Sequence, residues 1–346
     1  MSIRHLISFD DVSVSWWNEL FTSAQDIIAH PEDYRDACRG KLMASLFYES
    51  STRTRFSFQA AMLRLGGSLF GFSNPADTSI SKGESLADTI RMTSSYADTI
   101  VMRTAQEGAA LSASLYSEVP IINAGDGGHL HPTQTLTDLT TIARARGGIG
   151  GITVGLCGDL KYGRTVHSLV TALAKFHGIR FVLIAPDALQ MPEYMLNFMR
   201  ERFIDFTVAP TLADAIDDLD VLYMTRIQRE RFNGEDVDAI RLGFTLTTEL
   251  LQGAKRDLTI LHPLPRVDEI ERAVDADRRA LYFEQARLGM YIRMALLLKF
   301  THAPRIADYP PHEGGHTCAN PRCVTATELY LPQRPGKNGA CGYCDK

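Results

Sequence analysis

Short β-rich runs alternate with helix-length amphipathic segments along most of the chain, and few folds can absorb that rhythm. Leu42–Tyr48, Ser68–Phe72, Thr99–Met102 and Val119–Ile122 have strand length and composition, while Arg53–Leu65 and Glu84–Ser95 between them have helix length. Neighbouring parallel strands need a crossover long enough to hold a helix, so the alternation predicts βαβ units on a parallel sheet. A glycine-rich break, Gly147-Gly148-Ile149-Gly150-Gly151, opens a second series with Ile152–Cys157, Phe181–Ile184, Asp220–Tyr223 and Leu258–Leu261 as strands. A length of 346 residues suits two such domains. The expected class is therefore α/β: two parallel-sheet α/β domains joined by helices, followed by a small four-cysteine tail. Pro132–Arg146 is the expected bridge between the domains, and the apolar stretch Gln285–Phe300 is expected to be a long helix returning to the first. After Pro304 prolines and glycines dominate, and that segment has little apolar material for a core of its own.

Composition removes several function classes. With 36 Lys+Arg against 41 Asp+Glu the net charge is −5, which offers no surplus to hold a nucleic-acid backbone or an anionic membrane. No run approaches the roughly 18–20 apolar residues of a spanning helix. Met1-Ser2-Ile3-Arg4-His5 leads into no signal-peptide apolar run, so a cytoplasmic location is expected. Of six cysteines, Cys318, Cys323, Cys341 and Cys344 crowd into the last 29 residues. In a reducing compartment that clustering points to metal before disulfide.

The polar motifs fall where open α/β sheets place ligands, at the carboxyl ends of predicted strands. Ser51-Thr52-Arg53-Thr54-Arg55 follows the first strand and opens a helix, and hydroxyls, arginines and helix N–H groups together make an anion cradle suited to phosphate. A bare N-cap followed by solvated basic residues is the ordinary alternative for such a run. Arg103 ends the third strand, and His131-Pro132-Thr133-Gln134 follows the loop Asn123–Gly128. In the second series Gly158-Asp159-Leu160-Lys161-Tyr162-Gly163-Arg164 fills the first strand-to-helix turn and lacks the dinucleotide pattern Gly-x-Gly-x-x-Gly. Arg164 at that helix start suits a carboxylate. Arg226 with Gln228, and His262-Pro263-Leu264-Pro265-Arg266, occupy two further strand ends; the prolines stiffen the latter loop.

Ser51-Thr52-Arg53-Thr54-Arg55, Asn123-Ala124-Gly125-Asp126-Gly127, His131-Pro132-Thr133-Gln134 and His262-Pro263-Leu264-Pro265 together resemble the transcarbamoylase family in its aspartate carbamoyltransferase catalytic-chain form, over about residues 5–305. Sister ornithine enzymes typically carry cysteine where this chain has Pro263, and ornithine, a diamine, has less use for a pair of arginines. The resemblance implies the reaction carbamoyl phosphate + L-aspartate to N-carbamoyl-L-aspartate + phosphate, in de novo pyrimidine biosynthesis. It implies a carbamoyl-phosphate domain at 1–134, an aspartate domain at 135–285, a returning helix at 286–305 and a tail at 306–346. By the same resemblance Ser51, Thr52, Arg53, Thr54 and Arg103 bind phosphate, and Thr54, Arg103 and His131 donate to the carbonyl oxygen. Gln134 and the carbonyls of Leu264 and Pro265 hold the amide; Arg164, Arg226 and Gln228 take the aspartate carboxylates. Arg53, Thr54, Arg103 and His131 are the implied catalytic set. The family forms homotrimers whose sites are completed by a neighbour's loop, matched here by Lys82, with Ser79 and Ser81 left as alternatives for its phosphate ligand. No cofactor is implied for catalysis.

The tail departs from that family. Cys318-x4-Cys323, 17 intervening residues and Cys341-x2-Cys344 have the count and spacing of a structural four-cysteine zinc site. Cys318–Cys323 also resembles the zinc module of the regulatory chain that accompanies some catalytic trimers. Arg305–Thr317 is too short to hold the nucleotide-binding domain that precedes the module in that chain. The expected role is assembly, including a higher assembly of trimers. A transcarbamoylase for another amino acid and a catalytically silent subunit are the competing readings, the second opposed by the intact Arg53, Arg103, His131, Arg164 and Arg226.

Overall fold

The computed structural model describes residues 3–226, 243–310, 314–336 and 339–346. It divides into two compact units, one built from Met1–Thr133 with Gly289–Lys346 and the other from Gln134–Leu288.

The first unit carries a four-stranded parallel sheet of β1 (Leu42–Phe47), β2 (Ser68–Phe72), β3 (Thr99–Thr104) and β4 (Ile121–Asp126), in the order β2-β1-β3-β4. Its helices are α1 (Val14–Ala29), α2 (Thr52–Arg64), α3 (Leu86–Tyr96) and α4 (Ala109–Leu115). The chain runs outward from β1 to β2, then crosses to β3 on the other side of β1. Reversal between β1 and β3 opens a crevice at their carboxyl ends, and there Phe47 lies in register with Arg103.

Asn123–Asp126 corrects an expectation, for these residues continue β4 instead of forming a loop, and all six strand residues are buried. The polar side chain of Asn123 is accommodated because its amide donates to the Ile7 carbonyl (3.0 Å) and accepts from the Gly125 N–H (2.8 Å). Leu6 lies alongside Ile122 as an isolated parallel bridge, exchanging hydrogen bonds with Ile121 and Asn123.

The second unit holds five parallel strands in the order β7-β6-β5-β8-β9: β5 (Thr153–Cys157), β6 (Arg180–Ile184), β7 (Asp205–Ala209), β8 (Val221–Met224) and β9 (Thr259–Leu261). Its helices are α5 (Pro132–Arg146, which begins at the end of the first unit), α6 (Arg164–Leu173) and α7 (Glu193–Glu201). The same reversal occurs between β5 and β8, where Cys157 lies in register with Met224. β7 carries no strand signal because it is a half-exposed edge with Asp205 and Thr207 interrupting its apolar residues. The long helix α8 (Tyr282–Thr301) begins in this unit and ends in the first.

The tail shares a core with the first unit. Cys323, Val324, Leu331, Tyr343 and Cys344 are buried in one apolar cluster with Ala109, Ala110, Ala113 and Tyr116. A turn-rich segment with few apolar residues gains its hydrophobic contacts by joining an existing core.

Candidate active site and metal centre

At the β1/β3 reversal, α2 opens with Ser51 as N-cap, and its hydroxyl makes no capping bond, whereas Ser13 and Ser85 cap α1 and α3. The first amides of α2 and the hydroxyls of Ser51 and Thr52 therefore gather beside Arg53, with Thr54 buried one residue further on. Burial of its head group, and then the charge of Arg103, hold the Arg53 guanidinium below the ordinary arginine range. Two cations that feel one another at a helix N-terminus favour an anion between them.

Arg103 is itself held in place. Its Nη2 pairs with Glu49 Oε2 at 2.9 Å, its Nη1 lies 3.4 Å from the Ala124 carbonyl and 3.5 Å from His131 Nε2, and its Nε is buried with no hydrogen-bond partner. The β3–β4 register shifts between Met102 and Thr104, the kind of irregularity that re-aims a side chain. Gly125, at φ +122°, faces the guanidinium, and a Cβ there would press to 3.1 Å from Nη1. His131 is buried, one residue before α5.

Gln134, on the first turn of α5, donates from Nε2 to Asp138 Oδ1 at 2.7 Å. Buried Asp138 also accepts from Gln285 Nε2 (2.6 Å) and from the Tyr223 hydroxyl (3.1 Å). With one N–H fixed by a carboxylate, the amide of Gln134 is oriented and presents Oε1 as an acceptor for an amide N–H.

Arg164 begins α6, and Arg226 stands two residues past β8, so both flank the β5/β8 reversal. Gly158 permits this closeness: at φ +116° a Cβ would meet the Thr225 carbonyl oxygen at 2.4 Å. Gln228 lies outside the described residues. Beyond β9 the Leu264–Pro265 bond is cis and Leu264 has φ +55°, a left-handed conformation that costs a non-glycine residue roughly 1–2 kcal/mol. His262 holds that turn. Its Nδ1 accepts the Leu264 N–H (2.8 Å), so Nε2 carries the proton it donates to buried Glu269 (2.7 Å). Burial alone would raise the Glu269 carboxyl; the His262 hydrogen bond, the His262 charge and the nearby backbone N–H groups together outweigh it and hold the carboxyl below the usual range. Arg266 is committed to Asp275 and the Tyr282 hydroxyl. Glu49, Asp138 and Glu269 escaped the sequence reading, although Asp138 stands four residues after Gln134 on one helix face.

Lys82 is exposed at the end of the single turn Ser79–Lys82, where the Ser81 hydroxyl donates to the Thr78 carbonyl (2.7 Å).

In the tail the sulfurs of Cys318, Cys323, Cys341 and Cys344 all lie within 4.8 Å of one another, with Cys318–Cys344 at 3.7 Å and Cys323–Cys341 at 3.8 Å. Tetrahedral zinc with Zn–S near 2.3 Å requires sulfurs about 3.8 Å apart, so this donor set fits the ion. Donors converge on the sulfurs: the Asn320 N–H on Cys318 (3.4 Å), the Thr325 hydroxyl on Cys323 (3.2 Å) and the Tyr343 N–H on Cys341 (3.4 Å). His316 adds its Nε2–H to Cys341 (3.1 Å), since its Nδ1 accepts from Arg334. Such donors favour thiolates, the metal-binding form.

The comparisons agree with this geometry. Residues 4–144 match the family model described as the aspartate/ornithine carbamoyltransferase carbamoyl-P binding domain, and residues 150–300 match its Asp/Orn binding domain. The aspartate carbamoyltransferase catalytic subunit of Clostridium novyi is 55% identical over 298 residues, 86% of this chain and 97% of that one. The catalytic subunit of M. jannaschii aspartate transcarbamoylase superposes with TM-score 0.82 at 45% identity, over 86% of this chain and 98% of that one. Aspartate transcarbamoylase from Trypanosoma cruzi, solved with carbamoyl phosphate and aspartate, does so with TM-score 0.80 at 39% identity, over 86% and 95%. The chain belongs to the aspartate/ornithine carbamoyltransferase family, among its aspartate carbamoyltransferase catalytic subunits.

Proposed function

We propose that the chain transfers the carbamoyl group of carbamoyl phosphate to the amine of L-aspartate, a step of pyrimidine biosynthesis. The observation that carries this reading is that each unit has an arginine-bearing sheet reversal, with Arg53 and Arg103 in one and Arg164 and Arg226 in the other. Phosphate takes the first pair with Ser51, Thr52 and Thr54, and the aspartate carboxylates take the second with Gln228. The uncharged amine attacks the carbamoyl carbon, a C–N bond forms, the C–O bond to phosphate breaks, and the phosphate leaves with the proton that the amine gives up. Negative charge that develops on the carbonyl oxygen meets Thr54, Arg103 and His131, and preorganised donors of this kind are worth about 3–4 kcal/mol each. Gln134 Oε1 and the carbonyls of Leu264 and Pro265 orient the amide. The site residues need no cofactor for this chemistry, and four reduced thiols at one site suit a cytoplasmic location.

The family resemblance supports a homotrimer with Lys82 reaching a neighbour's site, and domain boundaries near 134, 285 and 305. Because the Ser81 hydroxyl is spent on Thr78, we assign Ser79 as the accompanying phosphate donor. Cys318, Cys323, Cys341 and Cys344 hold one zinc ion, which supplies folding free energy to the tail. The spacing supports kinship with the regulatory zinc module.

Purified chain should carbamoylate L-aspartate without added metal and contain about one zinc per chain by elemental analysis. Robust turnover of ornithine with none of aspartate would overturn the reaction, and zinc-free protein with an ordered tail would overturn the metal.

A further inference from the structure

Three connections run from the tail to the segments that carry the carbamoyl-phosphate residues of the first unit. The first starts at Asp345, whose Oδ2 lies 2.9 Å from His129 Nε2, while His129 Nδ1 lies 3.0 Å from Asp126 Oδ2. Buried Asp126 closes the turn that delivers His131: its Oδ1 accepts the Leu130 N–H (2.8 Å), its own N–H donates to the Leu130 carbonyl, and its Oδ2 also accepts from Gly108 (3.0 Å). His131 is the next residue along.

The second connection starts at Lys346, whose ammonium lies 2.6 and 2.8 Å from the two oxygens of Glu107, a carboxylate with no exposed surface. Backbone bonds from Glu107 to the Arg322 carbonyl and from Val324 to the Glu107 carbonyl fasten the same segment, just past Arg103. The third reaches α3. Ser85 caps the Asp88 N–H, and the tail fills the two amides ahead of it, Glu328 accepting from Leu86 (3.2 Å) and Tyr330 from Ala87 (2.9 Å). Lys82 lies just before that helix.

We propose that the tail is a built-in positioning module for the carbamoyl-phosphate end of the site, with Asp345 and Lys346 as positioning residues that act through His129 and Glu107 on His131 and Arg103. The proposal rests on the reaction read above. A positioning role has a kinetic signature that a merely structural contact lacks. Looser placement of His131 and Arg103 weakens carbamoyl phosphate, and all three connections end on segments of the first unit.

The side chain of Asp345 is 69% exposed but its backbone is left-handed at φ +58°, where Ala is tolerated less well than Asp or Asn, so the thermal melts separate lost folding from lost positioning. Steady-state kinetics and thermal melts of full-length Asp345→Ala, Asp345→Asn and Lys346→Met chains test the idea. Asp345→Ala and Lys346→Met should raise KM for carbamoyl phosphate three- to tenfold, with KM for aspartate, measured at saturating carbamoyl phosphate, within twofold of the parent. Asp345→Asn keeps an acceptor for His129 and should recover at least half of that loss. Unchanged KM for carbamoyl phosphate in both Asp345→Ala and Lys346→Met, whether or not Tm falls, overturns the proposal. Parent turnover of aspartate tests the underlying reaction separately, so the two failures are distinguishable.

Discussion

A guanidinium meant for phosphate must be fixed in direction while donors remain for the ligand. Arg103 meets that need: Glu49 holds one nitrogen, and the buried Nε stays without a partner. Arg226 differs, standing exposed beyond β8 at the proposed aspartate end. The two ends should therefore separate kinetically. Arg226→Ala removes charge-assisted bonds worth about 1.5–3 kcal/mol, so KM for aspartate should rise roughly 10- to 100-fold. Arg53→Ala, at the proposed leaving phosphate, should instead lower kcat by orders of magnitude. Saturation curves for each substrate check both, and an Arg226→Ala enzyme with parental KM for aspartate removes that residue from the assignment. The places of the four arginines beside strand ends were legible because the alternation locates those strands. Glu49 and Glu269 were not, because what they do depends on partners that only the fold selects. Asp138 and Gln134 share a helix face, so that contact was available from spacing alone.

Among the described residues, eight of the nine strands were legible from alternation, and the exceptions have physical causes. β7 sits at an edge and needs few apolar residues. β4 runs on through Asn123–Asp126 because side-chain amide bonds satisfy what composition marks as a loop. The segment beside β4 also carries a titration. His5 Nδ1 accepts the Ile121 N–H (3.1 Å), and burial, aided by the charge of Arg4, lowers the His5 imidazole to about 4. The folded chain therefore keeps His5 neutral, while the unfolded chain binds a proton near pH 6.5. Stability from this group is present above pH 6.5 and is lost as pH falls towards 4, by on the order of 3 kcal/mol. Denaturant melts between pH 7 and 4 should show that loss, and His5→Gln should flatten it. A His5→Gln chain with the parent's acid slope would show that the loss comes from other groups.

At the scale of the molecule, the sequence marked out a four-cysteine cluster but not the surface it would meet. It read the tail as a device for assembly, and the structure places its apolar residues in the core of its own first unit. That partner was illegible because Ala109, Ala110 and Ala113 mark α4 as a close-packing surface without saying for what. If the tail is committed within its own chain, the contacts of the proposed trimer come from elsewhere, and the exposed Lys82 turn is the segment the family resemblance sends to a neighbour. This arrangement makes a sharp prediction. In a shared site, His131 comes from one chain and Lys82 from the next, so a Lys82→Ala chain and a His131→Ala chain are each inactive alone but carry their lesions on different sides of the shared boundary. Dissociated, mixed and reassembled, they form hybrids in which some interfaces pair an intact His131 with an intact Lys82. A trimer with two chains of one kind and one of the other has one such site in three, so activity should recover to a substantial fraction of the parent's, measured per chain. Differently tagged chains purified through both tags would confirm the hybrids. Verified hybrids with no recovered activity would mean that each site is built within a single chain, and Lys82 would lose its proposed place.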